Sequence, residues 1–180
     1  MGEVKILQPE LVLPTGWLEP VAYGFPATGE GRPDYPEELL RIARLYLSIL
    51  NIDDIPDKEQ FYPQIVAHDG EFYLLGQHSR VFAHRVLDRR CKFVLRDESD
   101  YQKPEEYYDV MCQALGSRLT LLKVGASTLD DLLDRDLFKR VARRALTSDP
   151  CLYRFLGDQT TGRLDAATDA ICAYLERTKK

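Results

Sequence analysis

Residues 64–75 read QIVAHDGEFYLL, and this stretch decides most of what the sequence predicts about the fold. Asp69 and Gly70 stand between two β-rich runs, Gln64–His68 and Glu71–Leu75. A two-residue Asp-Gly loop is typical of a type I′ hairpin, and such a turn sets the strand register. The predicted pairs are His68 with Glu71, Ala67 with Phe72, Val66 with Tyr73 and Ile65 with Leu74. Because side chains alternate along a strand, the residues expected to face the core are Ile65, Ala67, Phe72 and Leu74.

Two further runs, Arg80–Leu87 and Arg90–Arg96, are predicted to pair with each other around Asp88-Arg89. Together with the hairpin they form an antiparallel strand meander over Ile65–Arg96. The expected fold class is therefore α+β, with helices packed against this meander and a helical C-terminal part.

The rest of the chain supplies the helices. Pro104 is expected to open a helix that ends near Gly116. The other predicted elements are a helix from about Pro36 to Asn51, a strand over Arg118–Val124, a helix from Ser127 to Asp149 and a helix from about Leu164 to Arg177.

The N-terminal part contains an arm, about residues 13–35, that is rich in proline and glycine. It nevertheless carries Trp17, Tyr23 and Phe25, which a freely solvated linker would not need. We expect an ordered arm that packs on its own domain or on a partner chain. At 180 residues the chain is expected to be a single domain, residues 1–180.

Composition favours a globular acidic protein. Hydrophobic residues make up 44% of the chain, and the net charge is −5. No apolar run approaches the roughly 20 residues that cross a bilayer, and the N-terminus lacks a secretory layout. These features predict a soluble, cytoplasmic protein that does not bind membranes.

No sequence motif spells out an enzyme. The four cysteines are far apart, and strand parity separates His68, His78 and His84, so no metal-ligating residue is assigned. His84 lies near Cys91, but the apolar neighbours of this cysteine disfavour a thiolate nucleophile. No catalytic or cofactor-binding residue is assigned either. A metal-dependent nuclease or hydrolase with unrecognised motifs stays open as an alternative.

Charge placement is the remaining signal. The segment from residue 80 to residue 96 holds six cations and one anion within an acidic chain. We predict that a basic sheet face and the aromatic arm bind a partner through Arg85, Arg90, Lys92, Arg96, Trp17, Tyr23 and Phe25.

The favoured function is that of a non-enzymatic protein-interaction protein, such as an accessory subunit, a chaperone-like protein or an immunity-like inhibitor. Its partner would be another protein or a second copy of the same chain. The alternative is a protein that binds nucleic acid or a phosphate ligand through the basic sheet face.

Overall fold

The computed structural model describes residues 2–15, 37–133, 135–143, 156 and 161–179. The predicted arm, including Trp17, Tyr23 and Phe25, lies outside the described residues apart from its first three positions. The strands are β1 (Glu3–Leu7), β2 (Val12–Leu13), β3 (Gln64–His68), β4 (Glu71–Leu74) and β5 (Cys91–Arg96). The helices are α1 (Glu37–Leu50), α2 (His78–Val86), α3 (Pro104–Lys123), α4 (Arg135–Arg143) and α5 (Thr161–Arg177).

The strands form one mixed sheet in the order β1-β5-β3-β4-β2. Two neighbouring pairs, β1 with β5 and β3 with β4, are antiparallel, whereas β3 with β5 and β2 with β4 are parallel. The α+β class is confirmed. The antiparallel meander is wrong, because β5 lies parallel to β3 and a helix connects β4 to β5.

The hairpin at Asp69-Gly70 is confirmed in all four predicted pairs. Asp69 and Gly70 have φ angles of 50° and 80°, as a type I′ turn requires. Ile65 and Leu74 are fully buried as predicted, but Ala67 is exposed near the hairpin tip.

Both faces of the sheet are covered by helices. The side chains of Ile65 and Leu74 belong to a large apolar cluster that includes residues of α1, α2 and α5. Val66 and Tyr73 lie on the opposite face and pack against Met111 of α3. The prediction of one core face is therefore incomplete. Within the described ranges, no helix combines the length and apolar character needed to cross a membrane.

The predicted strand Arg80–Leu87 is wrong, because these residues form α2 and its C-terminal cap. The sequence correctly predicts a turn at Asp88-Arg89, but this turn ends a helix and does not join two strands. The N–H of Arg89 donates to the carbonyl of His84 at 2.8 Å, and the N–H of Asp88 donates to Arg85 at 3.1 Å. With Asp88 at a φ of 53°, these bonds form a Schellman motif.

The predicted strand Arg118–Val124 is also wrong, because α3 continues through Gly116 to Lys123. The glycine that ends this helix is Gly125, with a φ of 83°. The N–H of Ala126 donates to the carbonyl of Leu121 at 2.9 Å, which is again the Schellman arrangement. Helix α3 therefore has 20 residues, and its full length decides the surface described next.

Candidate interaction surface

Helix α3 begins with Pro104 in its first turn, followed by Glu105 and Glu106. Proline and acidic residues are both favoured at this end of a helix. The N–H groups there lack intrahelical acceptors, so the missing N–H of proline costs nothing, and their partial positive charge attracts carboxylates. The face that packs against the sheet includes Met111 and Ala114, both buried. One face of α3 thus packs against the sheet, and the surface beside this face is not needed for the core.

A second apolar line runs along α3 beside the packed face, and we call it the α3 stripe. Its spacing alternates between four and three residues, which keeps the side chains within about 80° of the helix circumference. It extends about 21 Å along the axis. The stripe consists of Tyr108, Cys112, Leu115, Leu119 and Leu122.

The α3 stripe is open to solvent to an unusual degree. Tyr108 is 60% exposed, Leu119 59% and Leu122 46%. Single exposed apolar residues are ordinary on a protein surface, whereas a regular line of large ones is typical of surfaces that contact another molecule. The stripe repeats the pattern by which helices pair in coiled coils.

Charges around the α3 stripe differ between its two ends. Three exposed carboxylates, from Glu105, Glu106 and Asp109, lie at the N-terminal end. Lys123 is exposed in the last turn. The surface therefore has an apolar centre, an acidic end and a basic end.

The predicted partner-binding residue Arg85 lies on α2 and makes contacts within the protein. Its guanidinium contacts the carboxylate of Asp130 at 2.8 Å and that of Glu10 at 3.4 Å. It also lies 6.0 Å from the ring centroid of Tyr174, whose hydroxyl donates to the same Asp130 carboxylate. Because Arg85 is on a helix, the predicted strand face of four cations is not formed.

The other three predicted cations lie at or near β5 in different surroundings. Lys92 forms an ion pair with Asp57 at 2.5 Å and lies 5.6 Å from the ring centroid of Tyr62. The hydrogen bond to Asp57 raises the pKa of Lys92. Arg96 contacts Asp100 at 3.6 Å, and Arg90 is exposed. Two of these three cations therefore have acidic neighbours.

The histidines and the buried cysteine belong to no cluster of metal-binding side chains among the described residues. No three metal-capable side chains of His, Cys, Asp or Glu converge there. His84 donates from Nδ1 to the carbonyl of Arg90 at 3.0 Å. Burial raises the pKa of Cys91 to about 12, so its sulfur stays a thiol at neutral pH.

The α3 stripe was missed by the sequence interpretation, which divided its residues between a helix and a strand at Gly116. A signal was present nonetheless. The four-three alternation continues from Leu115 to Leu119 and Leu122 without a break at the glycine. A heptad count across residues 108–122 predicts the stripe.

Thiol labelling tests the described exposure of Cys112 against that of Cys91. Cys112 is exposed on the α3 stripe, while Cys91 is buried with a raised pKa. We expect iodoacetamide to modify Cys112 at least about a hundredfold faster than Cys91 in the native protein. Peptide mass spectrometry after timed quenching measures both rates, and labelling in denaturant is the control. Comparable native rates would contradict the described burial.

No protein-family model matches this chain, and comparisons with curated proteins and with solved structures find no match. The fold and the α3 stripe are thus the basis for assigning a function.

Proposed function

We propose that this chain is a non-enzymatic protein-interaction protein that binds its partner through the α3 stripe. The observation that carries the proposal is the heptad line of apolar side chains from Tyr108 to Leu122, in which Leu115 is partly buried and the other four are exposed. Full burial of a leucine side chain contributes about 2 kcal/mol, so covering this line supplies a substantial driving force for association. An accessory subunit, a chaperone-like protein and an inhibitor all need a surface that a partner protein can cover.

The partner that fits this surface is a second copy of α3 in antiparallel orientation. In that arrangement the acidic N-terminal end of one helix, with Glu105 and Asp109, lies beside the last turn of the other, with Lys123. The helix dipoles also oppose each other favourably. A two-fold axis near Leu115 makes both copies use the same surface, as in most homodimers.

The alternative function, binding of nucleic acid through a basic sheet face, has less support. Lys92 and Arg96 already have Asp57 and Asp100 as neighbours, and Arg85 contacts Asp130. A phosphate backbone would have to compete with these carboxylates for each cation.

Sedimentation equilibrium and light scattering test the dimer. We expect the wild-type chain to reach twice its mass of 20.7 kDa with rising concentration. The double variant Leu119→Glu/Leu122→Glu should raise the dissociation constant at least about a hundredfold, because it puts charges in place of two leucines per copy that the proposed dimer buries. Thr120→Glu is the matched control, since Thr120 is exposed on α3 away from the stripe. This control should dimerise as the wild type does.

Charge reversal tests the antiparallel orientation. Lys123→Glu places like charges at both ends of the pairing and should weaken the dimer. Combining it with Glu105→Lys and Asp109→Lys should restore part of the affinity, because opposite charges meet again. A wild-type chain that stays monomeric at every concentration would contradict the proposed dimer. Dimerisation unaffected by the double leucine variant would place the interface elsewhere.

A further inference from the structure

A polar cleft lies between helix α2, the start of β5 and the connection that leads from α1 to β3. Its volume is about 340 Å³, which suits a small organic molecule. None of the residues described as lining it belongs to α3, so the cleft is separate from the α3 stripe. The polar residues that line the cleft are Asp53, Asp57, Tyr62, Arg80, His84, Arg90 and Lys92.

The charged residues of this cleft carry a positive balance, although the chain as a whole has a net charge of −5. The lining cations are Arg80, Arg90 and Lys92, and the lining carboxylates are Asp53 and Asp57. A further cation, Arg89, lies beside the cleft and contacts the Asp53 carboxylate at 2.6 Å. Four positive side chains thus surround two negative ones, and a concave site with such a balance attracts anions.

Both carboxylates of the cleft are held by cations. Asp53 accepts the bond from Arg89, and Asp57 accepts one from Nζ of Lys92 at 2.5 Å and one from the hydroxyl of Tyr62 at 2.5 Å. The hydrogen bonds from Lys92 and Tyr62 lower the pKa of Asp57. These bonds offset the negative charges, so the carboxylates need not exclude an anion from the cleft.

Arg90 is the lining residue best suited to hold an anion. Its side chain is exposed and makes no hydrogen bond or ion pair within the described part of the chain. Its backbone is fixed nevertheless, because the carbonyl of Arg90 accepts a hydrogen bond from Nδ1 of His84 at 3.0 Å. A guanidinium offers parallel N–H donors that match the two oxygens of a carboxylate or a phosphate.

Arg80 and His84 add to the site from α2. The Nη1 atom of Arg80 donates to the carbonyl of Phe61, which positions this guanidinium at the cleft. Burial, and after it the charge of Arg80, lowers the pKa of His84, so the ring is neutral at pH 7. Because Nδ1 carries the proton that is donated to the Arg90 carbonyl, Nε2 is the acceptor nitrogen of the ring.

We propose that this cleft binds a small organic anion through its phosphate ester or carboxylate group. The guanidinium of Arg90 binds the oxyanion, and the charge of Arg80 adds to the attraction. Nε2 of His84 accepts a hydrogen bond from a hydroxyl group of the same molecule. This binding site goes beyond the proposed function and does not depend on the proposed dimer.

The imidazole signals provide a direct test, since the chain has only three histidines. Glycerol 3-phosphate, glycerate and neutral glycerol are titrated at pH 7.5 and constant ionic strength, and the Cε1 proton of each ring is followed by NMR. We expect a saturable shift of the His84 signal with at least one anion and none with glycerol, while the exposed His68 serves as the internal control. The anion that binds more tightly identifies the oxyanion source. No saturable shift of His84 with either anion, or an equal shift with glycerol, would overturn the proposal.

Three variants locate the binding. Arg90→Gln should weaken it at least about tenfold, because the charged donor is lost. Arg140→Gln is the matched control, since Arg140 is exposed on α4 and does not line the cleft, and its affinity should equal that of the wild type. Asp53→Asn should tighten binding at least about threefold, because it removes a negative charge and releases Arg89.

Circular dichroism checks that each variant folds, and all three substitutions are at exposed positions. Unchanged affinity in Arg90→Gln would overturn the assignment of the anion to this cleft. Equal losses in Arg90→Gln and Arg140→Gln would also overturn it, because they would show a response to net charge alone.

Discussion

The substitution Arg85→Ala is expected to lower the free energy of unfolding by about 3 kcal/mol. The side chains of Arg85 and Asp130 are 14% and 18% exposed, so most of their interaction is shielded from water. Removing the guanidinium leaves the charge of the Asp130 carboxylate without its cation. Among the described residues, the hydroxyl of Tyr174 then remains as a neutral hydrogen-bond donor to this carboxylate. Breaking a buried ion pair from one side is costly because the other charge stays behind uncompensated.

Arg90→Ala is the matched control for this experiment, since both arginines were predicted to bind a partner. Arg90 is exposed, and its side chain makes no hydrogen bond or ion pair within the described part of the chain. Its replacement should change the free energy of unfolding by less than about 0.5 kcal/mol. Urea unfolding followed by circular dichroism measures both variants. Equal, small effects would show that Arg85 is free to meet a partner, as the sequence predicted.

Acidification from pH 7 to pH 4 is expected to remove about 3 kcal/mol of stability through His78 alone. Its pKa falls from 6.5 to about 4 on folding, because burial disfavours the charged ring. Between these two values the unfolded chain binds a proton that the folded chain does not. The contribution is therefore fully present above pH 6.5, declines as the pH falls and is lost at about pH 4.

A comparison with His78→Phe isolates this effect from the titration of carboxylates. The variant should lose less stability than the wild type between pH 7 and pH 4, by about the same 3 kcal/mol. His68→Phe serves as the control, because His68 is exposed on the hairpin. It should follow the wild-type curve in urea unfolding across the pH range. Identical slopes for the wild type and His78→Phe would contradict the described burial.

The sequence by itself determined the elements whose signals are local. The hairpin follows from Asp69-Gly70, since few residue pairs adopt two successive positive φ angles. The predicted helix from Pro36 to Asn51 agrees closely with α1, because apolar residues recur there with helical spacing. The helix predicted from Leu164 likewise lies within α5.

Only the tertiary structure decided the identity of α2. Residues 80–87 alternate in a way that suits a strand, yet Val81, Phe82 and Val86 also share one side of a helix. The place beside β3 is taken by β5, which pairs in parallel, so residues 80–87 pack on α1 and α5 instead. Intrinsic strand propensity is weak enough for such packing to override it.

The candidate sites depended on tertiary structure for the same reason. Residues as far apart in sequence as Arg85 and Asp130, or Val66 and Met111, become neighbours only when the sheet order is set. Local propensities carry no information about those distances. The α3 stripe is the exception, because its heptad spacing was present in the sequence, and only the continuation of the helix through Gly116 turned that spacing into one surface.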